Sequence, residues 1–399
     1  MKGWTDCTLG NIVQFQRGHD LTDAERVNGT IPVVGSAGIN GYHNIAKAKG
    51  PGVTIGRSGA SIGKAFYIST DYWPHNACLY GKDYKGNYPR AIYYFLRLFD
   101  FSYLNSGSAQ PSLNRNILHP LKIKFPALPI QRKIAAVLSA YDDMIENNNR
   151  RIAILEKMAE ELYREWFVRR RFPGHEKAKI VKGIPEGWEV KRIGAIVDFL
   201  SGYSFKSATY LLSGKHGIVT IKNVQDGFFV PECTDFIDVT PSNMKNHCLL
   251  EVGDVLMSLT GNVGRICHVI GENYLLNQRV AKLRPKIKHA THFIYYTFKN
   301  RSMIQLIENL SLGSTAQMNL SPIQLGKQKL IVPEEPQLLK YEMAILPLYK
   351  EILSLLKMSS VLKQTRDRLL SRLMSGKIDV ENLDIQFPDS MKEDAAANA

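Results

Sequence analysis

The sequence predicts an α+β protein made of two α/β globules in tandem repeat, separated by two long helices that pair as an antiparallel coiled coil. Three observations predict this fold. A fifteen-residue motif begins each half of the chain, two long stretches carry a heptad pattern of apolar residues, and a pair of prolines stands just before or at the start of each stretch. At 399 residues the chain is long enough for two or three domains.

The repeated motif reads WTDCTLGNIVQFQRG from Trp4 to Gly18 and WEVKRIGAIVDFLSG from Trp188 to Gly202. Six of the fifteen positions are identical, where ordinary composition gives about one. The Ile-Val-x-Phe run inside the motif is typical of a strand start closed by glycine. Other short apolar runs in the first globule predict the strands Ile31–Val34, Gly52–Ile55 and Ala65–Ile68 and a buried helix within Ala91–Phe101.

These patterns divide the chain into six segments. The expected boundaries are 1–128 for the first globule, 129–172 for the first helix, 173–184 for a linker, 185–335 for the second globule, 336–376 for the second helix and 377–399 for a C-terminal tail. The linker is basic and rich in helix breakers, which is typical of a solvated hinge. The tail is expected to be partly disordered over its last ten residues, because Asp, Asn and Ala dominate there.

Apolar residues in both predicted helices recur at alternating spacings of four and three, the pattern of a coiled coil. The first seam is Ile134, Leu138, Tyr141, Ile145, Asn148, Ile152, Leu155, Leu162 and Trp166. The second seam is Tyr341, Ile345, Leu348, Ile352, Leu355, Leu362, Leu369 and Leu373. A lone buried Asn such as Asn148 can fix the register of a helix pair, and Ser359 and Arg366 interrupt the second seam. The alternative is two unrelated amphipathic helices, each on its own domain.

Charge and cysteine usage limit the class of protein. The formal net charge is +14, with 14 basic and 7 acidic side chains in residues 1–128 and 16 and 11 in residues 185–333. Two basic globules favour a polyanionic partner, and an ordinary solvated surface is the alternative. The five cysteines form no CxxC pair, which fits a reducing cytoplasm rather than a disulfide framework. Without a membrane-spanning apolar run or a signal-peptide pattern, we expect a cytoplasmic, soluble protein with no membrane contact.

Two glycine loops that follow predicted strands are candidate DNA contacts. The side chains offered are Ser58, Ser61 and Lys64 in the first loop and Asn262 and Arg265 in the second. Backbone N–H groups of such loops can reach phosphate, and the terminal cation can reach phosphate or a guanine edge. Neither is a Walker loop, since GxxxxGK[ST] is absent. The alternative for each loop is a tight hairpin turn.

A polar loop follows in each globule. The candidate contacts are Ser108, Gln110, Ser112 and Asn114 in the first loop and Ser314, Gln317 and Asn319 in the second. Gln and Asn pair bidentately with adenine, and Ser fits phosphate or base edges. A structural turn that caps the following segment is the alternative.

Catalytic signatures are absent from the sequence. There is no [DNS]PP[YFW] tetrad, no GxGxxG after a strand and no HExxH. The spacing His289-x-x-His292 is predicted to be a solvated pair near a helix start, because carboxylates are lacking nearby in the sequence. We therefore predict no catalytic residue and no metal site. A basic chain without a reactive constellation is better explained as a reader than as an enzyme.

Taken in order, these motifs resemble the specificity (S) subunits of type I restriction–modification systems, the HsdS family. The resemblance spans about residues 1–380. It depends on the duplicated Trp-initiated motif, the Gly-Ser-x-Gln-type loops, the Pro-x-x-Pro helix starts at Pro126 and Pro333, and the helix end Leu373–Ile378. No single motif is specific, but their order and repetition are.

The resemblance implies two target recognition domains, each reading one half of a bipartite, asymmetric site on double-stranded DNA, with a helix pair that fixes the spacing. It also implies partners: two modification (M) subunits that carry the S-adenosylmethionine chemistry, and restriction (R) subunits that add cleavage and ATP-driven translocation. The chain itself would bind no cofactor and would not be an enzyme. Two alternatives remain open, a self-contained DNA methyltransferase with a divergent active site and a coiled-coil scaffold without a DNA role.

Overall fold

The structure, a computed structural model, describes residues 3–101, 104, 112–311 and 318–391. The chain forms two compact units. Unit 1 comprises Met1–Asn147 and Ser360–Ala399, and unit 2 comprises Asn148–Ser359. Both units mix helices with sheets, and the α+β class predicted from the sequence is confirmed.

The first half of the chain is a series of short strands followed by a long helix. Its elements are β1 (Trp4–Thr8), α1 (Leu9–Ile12), β2 (Gln14–Arg17), β3 (Ile31–Gly35), β4 (Gly38–His43), β5 (Gly52–Gly56), β6 (Ala65–Ile68), β7 (Trp73–Pro74), β8 (Cys78–Asp83), α2 (Pro89–Leu96), α3 (Arg115–Leu118), β9 (Lys122–Pro126) and α4 (Leu128–Tyr163). Pro129 occupies the first turn of α4, where its missing N–H is not needed. A π-helical stretch, Arg164–Val168, continues the helix.

The second half repeats this plan. Its elements are β10 (Ile180–Val181), β11 (Ile184–Pro185), β12 (Glu189–Arg192), α5 (Ile193–Ile196), β13 (Val197–Ser201), β14 (His216–Val219), β15 (Phe236–Ile237), β16 (Leu249–Leu250), β17 (Val255–Ser258), β18 (Ile266–His268), β19 (Tyr274–Leu276), β20 (Val280–Pro285), α6 (Thr291–Lys299), α7 (Arg301–Ser311), α8 (Pro322–Lys327), β21 (Lys329–Val332) and α9 (Glu335–Met374). Pro336 stands in the first turn of α9, as Pro129 does in α4.

One four-stranded sheet in each unit has the same strand order. Unit 1 has a four-stranded antiparallel sheet β2-β8-β5-β6, and unit 2 has β13-β20-β17-β18. The first strand of each copy of the repeated motif also pairs with the strand that stands just before a long helix, β1 with β9 and β12 with β21. Each unit also contains a parallel strand pair, β3 with β7 in unit 1 and β14 with β19 in unit 2. The duplicated motif of the sequence therefore folds into duplicated topology, and the predicted tandem repeat is confirmed.

Each unit buries the apolar residues of its sheet against one part of the helix pair. In unit 1, Phe15 and Ile55 from the sheet share a core with Leu138 of α4 and Leu373 of α9. In unit 2, Met257 and Phe293 share a core with Tyr341 and Ile345 of α9. The segment after α9 also belongs to the core of unit 1, because Val380 and Met391 are buried there. No helix of the described residues is long and apolar enough to cross a membrane.

The long helices pair with opposite chain directions. In unit 2, Ile152 of α4 packs against Ile352 and Leu355 of α9, and the Trp166 ring lies 5.7 Å from that of Tyr341. As the residue number rises along α4, the number of its contact on α9 falls, so the helices are antiparallel. In unit 1, Arg366 of α9 contacts Asp142 of α4 at 2.5 Å, which continues the same trend.

Candidate nucleic-acid interface

In unit 1, the first glycine loop closes the hairpin between β5 and β6. Gly59 and Gly63 have φ values of +72° and +76°, a conformation that favours glycine. The Gly63 N–H donates to the Gly56 carbonyl, and the Gly56 N–H donates to the Lys64 carbonyl, both at 2.9 Å. The loop is thus a tight turn held by its own backbone, with the Lys64 side chain exposed.

The described end of the first polar loop lies beside this turn. Ser58 forms an antiparallel bridge with Ser112, and the Leu113 N–H donates to the Arg57 carbonyl at 2.9 Å. The glycine loop and the described end of the polar loop, more than forty residues apart in the sequence, therefore lie side by side. Asn114 is exposed, and its side-chain oxygen accepts from the Asn116 N–H at 3.0 Å and so caps α3.

In unit 2, the second glycine loop likewise lies beside the described end of the second polar loop. Thr260 forms an antiparallel bridge with Asn319, and the Leu320 N–H donates to the Leu259 carbonyl at 2.8 Å. The second glycine loop also closes on itself, because the Gly264 N–H donates to the Ser258 carbonyl at 3.0 Å. The described parts of these loops thus make equivalent contacts in both repeats.

The candidate side chains are placed unequally. Ser58, Ser61, Ser112 and Arg265 are partly buried, whereas Lys64, Asn114, Asn262 and Asn319 are exposed. The remaining candidates lie outside the described residues: Ser108, Gln110, Ser314 and Gln317. What the sequence predicted about those four amide and hydroxyl groups stays a prediction.

Arg265 is held by neighbours inside unit 2. Its guanidinium donates to the side-chain oxygen of Gln225, and in the amide orientation that satisfies both groups Asn262 accepts from it at 2.7 Å. Lys64, at the matching place in unit 1, makes no ion pair within the described part of the chain. Of the two predicted cations, Lys64 is the more available to an outside anion.

Unit 1 also contains a cleft of about 690 Å³ next to these loops. Its polar lining includes Gln16, Arg17, His19, Arg57, Asn114 and Arg115. Sequence reasoning selected Ser112 and Asn114 of this lining but none of the arginines. The sequence does contain a clue to one of them, because the two copies of the repeated motif differ in charge at this position, with Arg17 in the first copy and Ser201 in the second.

The seam residues of the helix pair are buried or partly buried, and none is exposed. Its polar members find polar partners. Asn148 is 4% exposed, and its Nδ2 donates to Oγ of Ser359 at 3.3 Å. Arg366, the other interruption, contacts Asp142. Asn148, Ser359 and Arg366 therefore each contact a polar side chain of the facing helix within the same unit, whereas the buried Tyr341 hydroxyl has no hydrogen-bond partner among the described residues.

The prediction of a solvated histidine pair is wrong for His292. His289 is exposed just before α6, but His292 is 3% exposed, with its Nδ1 at 2.9 Å from a carboxylate oxygen of Glu342 on α9. No local pattern could reveal this contact, because the carboxylate comes from a helix fifty residues later. Beside it, burial lowers the pKa of His268 to about 3. The described residues contain no group of three or more His, Cys, Asp or Glu that could hold a metal ion.

Known proteins resemble this chain over most of its length. A family model described as "Type I restriction modification DNA specificity domain" matches residues 1–157 and again 185–343. The type I restriction enzyme MjaIX specificity subunit of Methanocaldococcus jannaschii is 28% identical over 287 residues, which is 70% of this chain and 66% of that protein. The MjaVIII specificity subunit of the same organism is 27% identical over 307 residues, 73% of this chain and 71% of that protein.

A solved structure is similar in fold. The crystal structure of the S subunit of a type I restriction–modification system from M. genitalium superposes with a TM-score of 0.57 at 20% sequence identity, covering 93% of this chain and 96% of that chain. The likeness in fold thus extends over nearly the whole of both chains, while the aligned part of the MjaIX relative is about two thirds of that relative's length.

Proposed function

Since the chain belongs to the family of type I restriction–modification DNA specificity proteins, we propose that it is the non-catalytic subunit that reads DNA sequence for such a system. Each domain contacts one half of a bipartite, asymmetric site on double-stranded DNA, and the helix pair sets the spacing between the halves. The observation that carries the proposal is the duplication. The two units have the same strand order in one four-stranded sheet and equivalent contacts between the described parts of their loops, and residues 1–128 and 185–333 are both basic.

The length of the helices supports a role in spacing. Helix α4 has 36 residues and α9 has 40, which at about 1.5 Å per residue corresponds to roughly 54 and 60 Å. A turn of B-DNA measures about 34–36 Å, and half-sites read from one face recur at that interval. Helices of this length can therefore separate two DNA-contacting regions by one turn of DNA or more. Satisfied polar pairs along the seam, such as Asn148 with Ser359, oppose slippage of one helix along the other.

The catalytic work would belong to partners. We propose that modification subunits dock on this chain, that restriction subunits join the full complex, and that the assembly acts in the cytoplasm. Exposed apolar side chains support a protein partner on the helices: Ile154 is 60% exposed, and Met158, one turn further on α4, is 52% exposed. Neighbouring apolar side chains on a helix that otherwise packs its seam are typical of a docking surface.

The direct test is a selection of duplexes from a random library by the full chain assembled with its modification partner. Recovery of a split motif with a constant unread gap supports the proposal, and recovered duplexes without enrichment contradict it. Binding should weaken steeply as salt rises, because several phosphates are neutralised together. Incubating the purified chain alone with labelled S-adenosylmethionine and DNA tests the methyltransferase alternative, and methyl transfer by this chain would overturn the assignment.

A further inference from the structure

We propose that the cleft of unit 1 is a binding site for DNA phosphate groups, formed by Arg17, Arg57 and Arg115, and that the second domain lacks its counterpart. The inference rests on the proposed function and adds to it the chemistry by which the first domain holds DNA. It also gives the two domains different electrostatic contributions to binding.

The three guanidinium groups are available to an anion. Arg17 and Arg115 are exposed and Arg57 is partly buried, and all three line the cleft. Within the part of the chain that the structure describes, none of them makes an ion pair or a side-chain hydrogen bond. The acidic residue among the lining residues, Asp20, already accepts a hydrogen bond from the Asn76 amide. Three positive charges against one negative charge leave the lining with an excess of +2.

Backbone hydrogen bonds fix the main chain at these residues, which come from three separate parts of the chain. Arg17 is the last residue of β2, and the Gly18 N–H that follows donates to the Cys78 carbonyl at 3.1 Å. Arg57 is fixed by its carbonyl, which accepts from Leu113. Arg115 opens the short helix α3. Tertiary pairing of the backbone therefore brings the three residues to one cleft without DNA, so no backbone segment has to be ordered for binding.

The equivalent positions of unit 2 carry no positive charge. The hydrogen bond from the Gly202 N–H to the Val280 carbonyl is equivalent to the bond from Gly18 to Cys78, so the counterpart of Arg17 is Ser201. The bond from Leu320 N–H to the Leu259 carbonyl matches the one that fixes Arg57, so the counterpart of Arg57 is apolar. The counterpart of Arg115 is Pro322, which opens α8. One domain thus has three arginines where the other has serine, leucine and proline.

Phosphate is the ligand that this chemistry favours. A guanidinium offers paired N–H donors that match two phosphate oxygens, and it stays charged at any physiological pH. A single arginine can instead read the O6 and N7 atoms of guanine, but three arginines that line one cleft exceed what one base edge accepts. Each neutralised phosphate contributes about 0.9 to the slope of log K against log salt.

The test compares two double variants of the full chain in its assembled complex, on the duplex selected above. Arg17→Gln with Arg115→Gln removes two exposed charges from the cleft. The matched control, Lys122→Gln with Lys124→Gln, removes two exposed charges from β9, outside the cleft. We expect the cleft variant to lower the salt slope by about 2 and to weaken binding about tenfold for each lost contact at low salt, with the same preferred bases. The control should show a much smaller change in both quantities.

Circular dichroism and melting temperature establish that each variant is folded, and Arg17→Lys with Arg115→Lys should restore most of the slope because it restores the charge. Equal slopes and affinities for the cleft variant and the control overturn the inference while leaving the proposed function standing. Loss of preference at one base pair with an unchanged slope also overturns it, in favour of base reading. Failure of the unaltered complex to bind a split site contradicts the proposed function itself, and the inference with it.

Discussion

Replacing Arg366 by methionine should destabilise unit 1, because the carboxylate of Asp142 on the facing helix then loses its cationic partner. The Arg366 side chain is 12% exposed and lies 2.5 Å from Asp142, whose side chain is 30% exposed. The other carboxylate oxygen of Asp142 accepts from the hydroxyl of Tyr94 at 2.5 Å. Methionine keeps the apolar contacts of the arginine stem. The substitution therefore removes the cation and leaves the carboxylate half-buried with one neutral donor.

The expected size of this effect follows from the exposure of the pair. Breaking a fully buried ion pair costs about 3–5 kcal/mol, and an exposed pair contributes about 0–1 kcal/mol. With water able to reach part of Asp142, we expect the free energy of unfolding to fall by about 2 kcal/mol, close to the value of one hydrogen bond to a charged group. In a unit of this size that change corresponds to roughly 4–8 °C in melting temperature.

A matched control lies elsewhere on the same helices. Arg151 contacts Glu351 at 2.6 Å, but both side chains are about half exposed, at 51% and 45%. Arg151→Met should therefore reduce the free energy of unfolding by no more than about 1 kcal/mol. Calorimetry and urea unfolding of the full chain measure both variants. Equal losses for the two substitutions, or a loss below about 0.5 kcal/mol for Arg366→Met, would refute the reasoning from burial.

Three further predictions concern unit 2. Asn148→Leu alone should lower the free energy of unfolding, measured in urea, by about 1 kcal/mol. Asn148→Leu combined with Ser359→Ala should leave that free energy unchanged or raise it, because no polar group of this contact is then left unpaired. Equal losses for the single and the double variant would contradict this expectation. Burial holds the pKa of His268 at about 3, below its ordinary value of 6.5, so the free energy of unfolding should fall by about 1.4 kcal/mol per pH unit as the pH drops below 6.5. His268→Phe should make the free energy of unfolding less dependent on pH in this range. An unchanged slope in the variant would exclude His268 as the source of the pH dependence. Gly264→Ala should lower the free energy of unfolding by about 3 kcal/mol, and Gly174→Ala by about 1 kcal/mol. Both glycines have positive φ, but only at Gly264 would an added Cβ lie 2.8 Å from a side chain. Similar losses for the two variants would mean that backbone strain, and not the side-chain clash, sets the size of the effect.

Sequence patterns predicted the elements whose causes are local. The strands expected at Ile31–Val34 and Gly52–Ile55 extend by one residue each in the structure, and Ala65–Ile68 matches. The helix expected within Ala91–Phe101 instead spans Pro89–Leu96. It starts earlier because proline fits the first helical turn, which the apolar periodicity alone does not register.

What the sequence could not give was the set of contacts between distant segments. The parallel pair β3–β7 and the meeting of the glycine loop with Ser112 depend on tertiary folding. The arginine cleft is of the same kind, because Arg17 and Arg115 come together only when β2 and α3 approach. His292 shows the opposite error, since a polar side chain near a helix start was taken as solvated while its carboxylate partner lay on α9.

In the proposed function, the helix pair sets the distance between two DNA-reading domains. The most direct measurement inserts four residues into each helix, after Asn147 in α4 and after Ser359 in α9, and repeats the duplex selection with the assembled complex. These positions adjoin the Asn148–Ser359 contact, so both helices lengthen at the same level. Four residues add about 6 Å, close to two base pairs at roughly 3.4 Å each. We expect the same two half-sites with an unread gap longer by one to two base pairs, about 6 Å of DNA. Recovery of both half-sites at their original spacing would contradict the account.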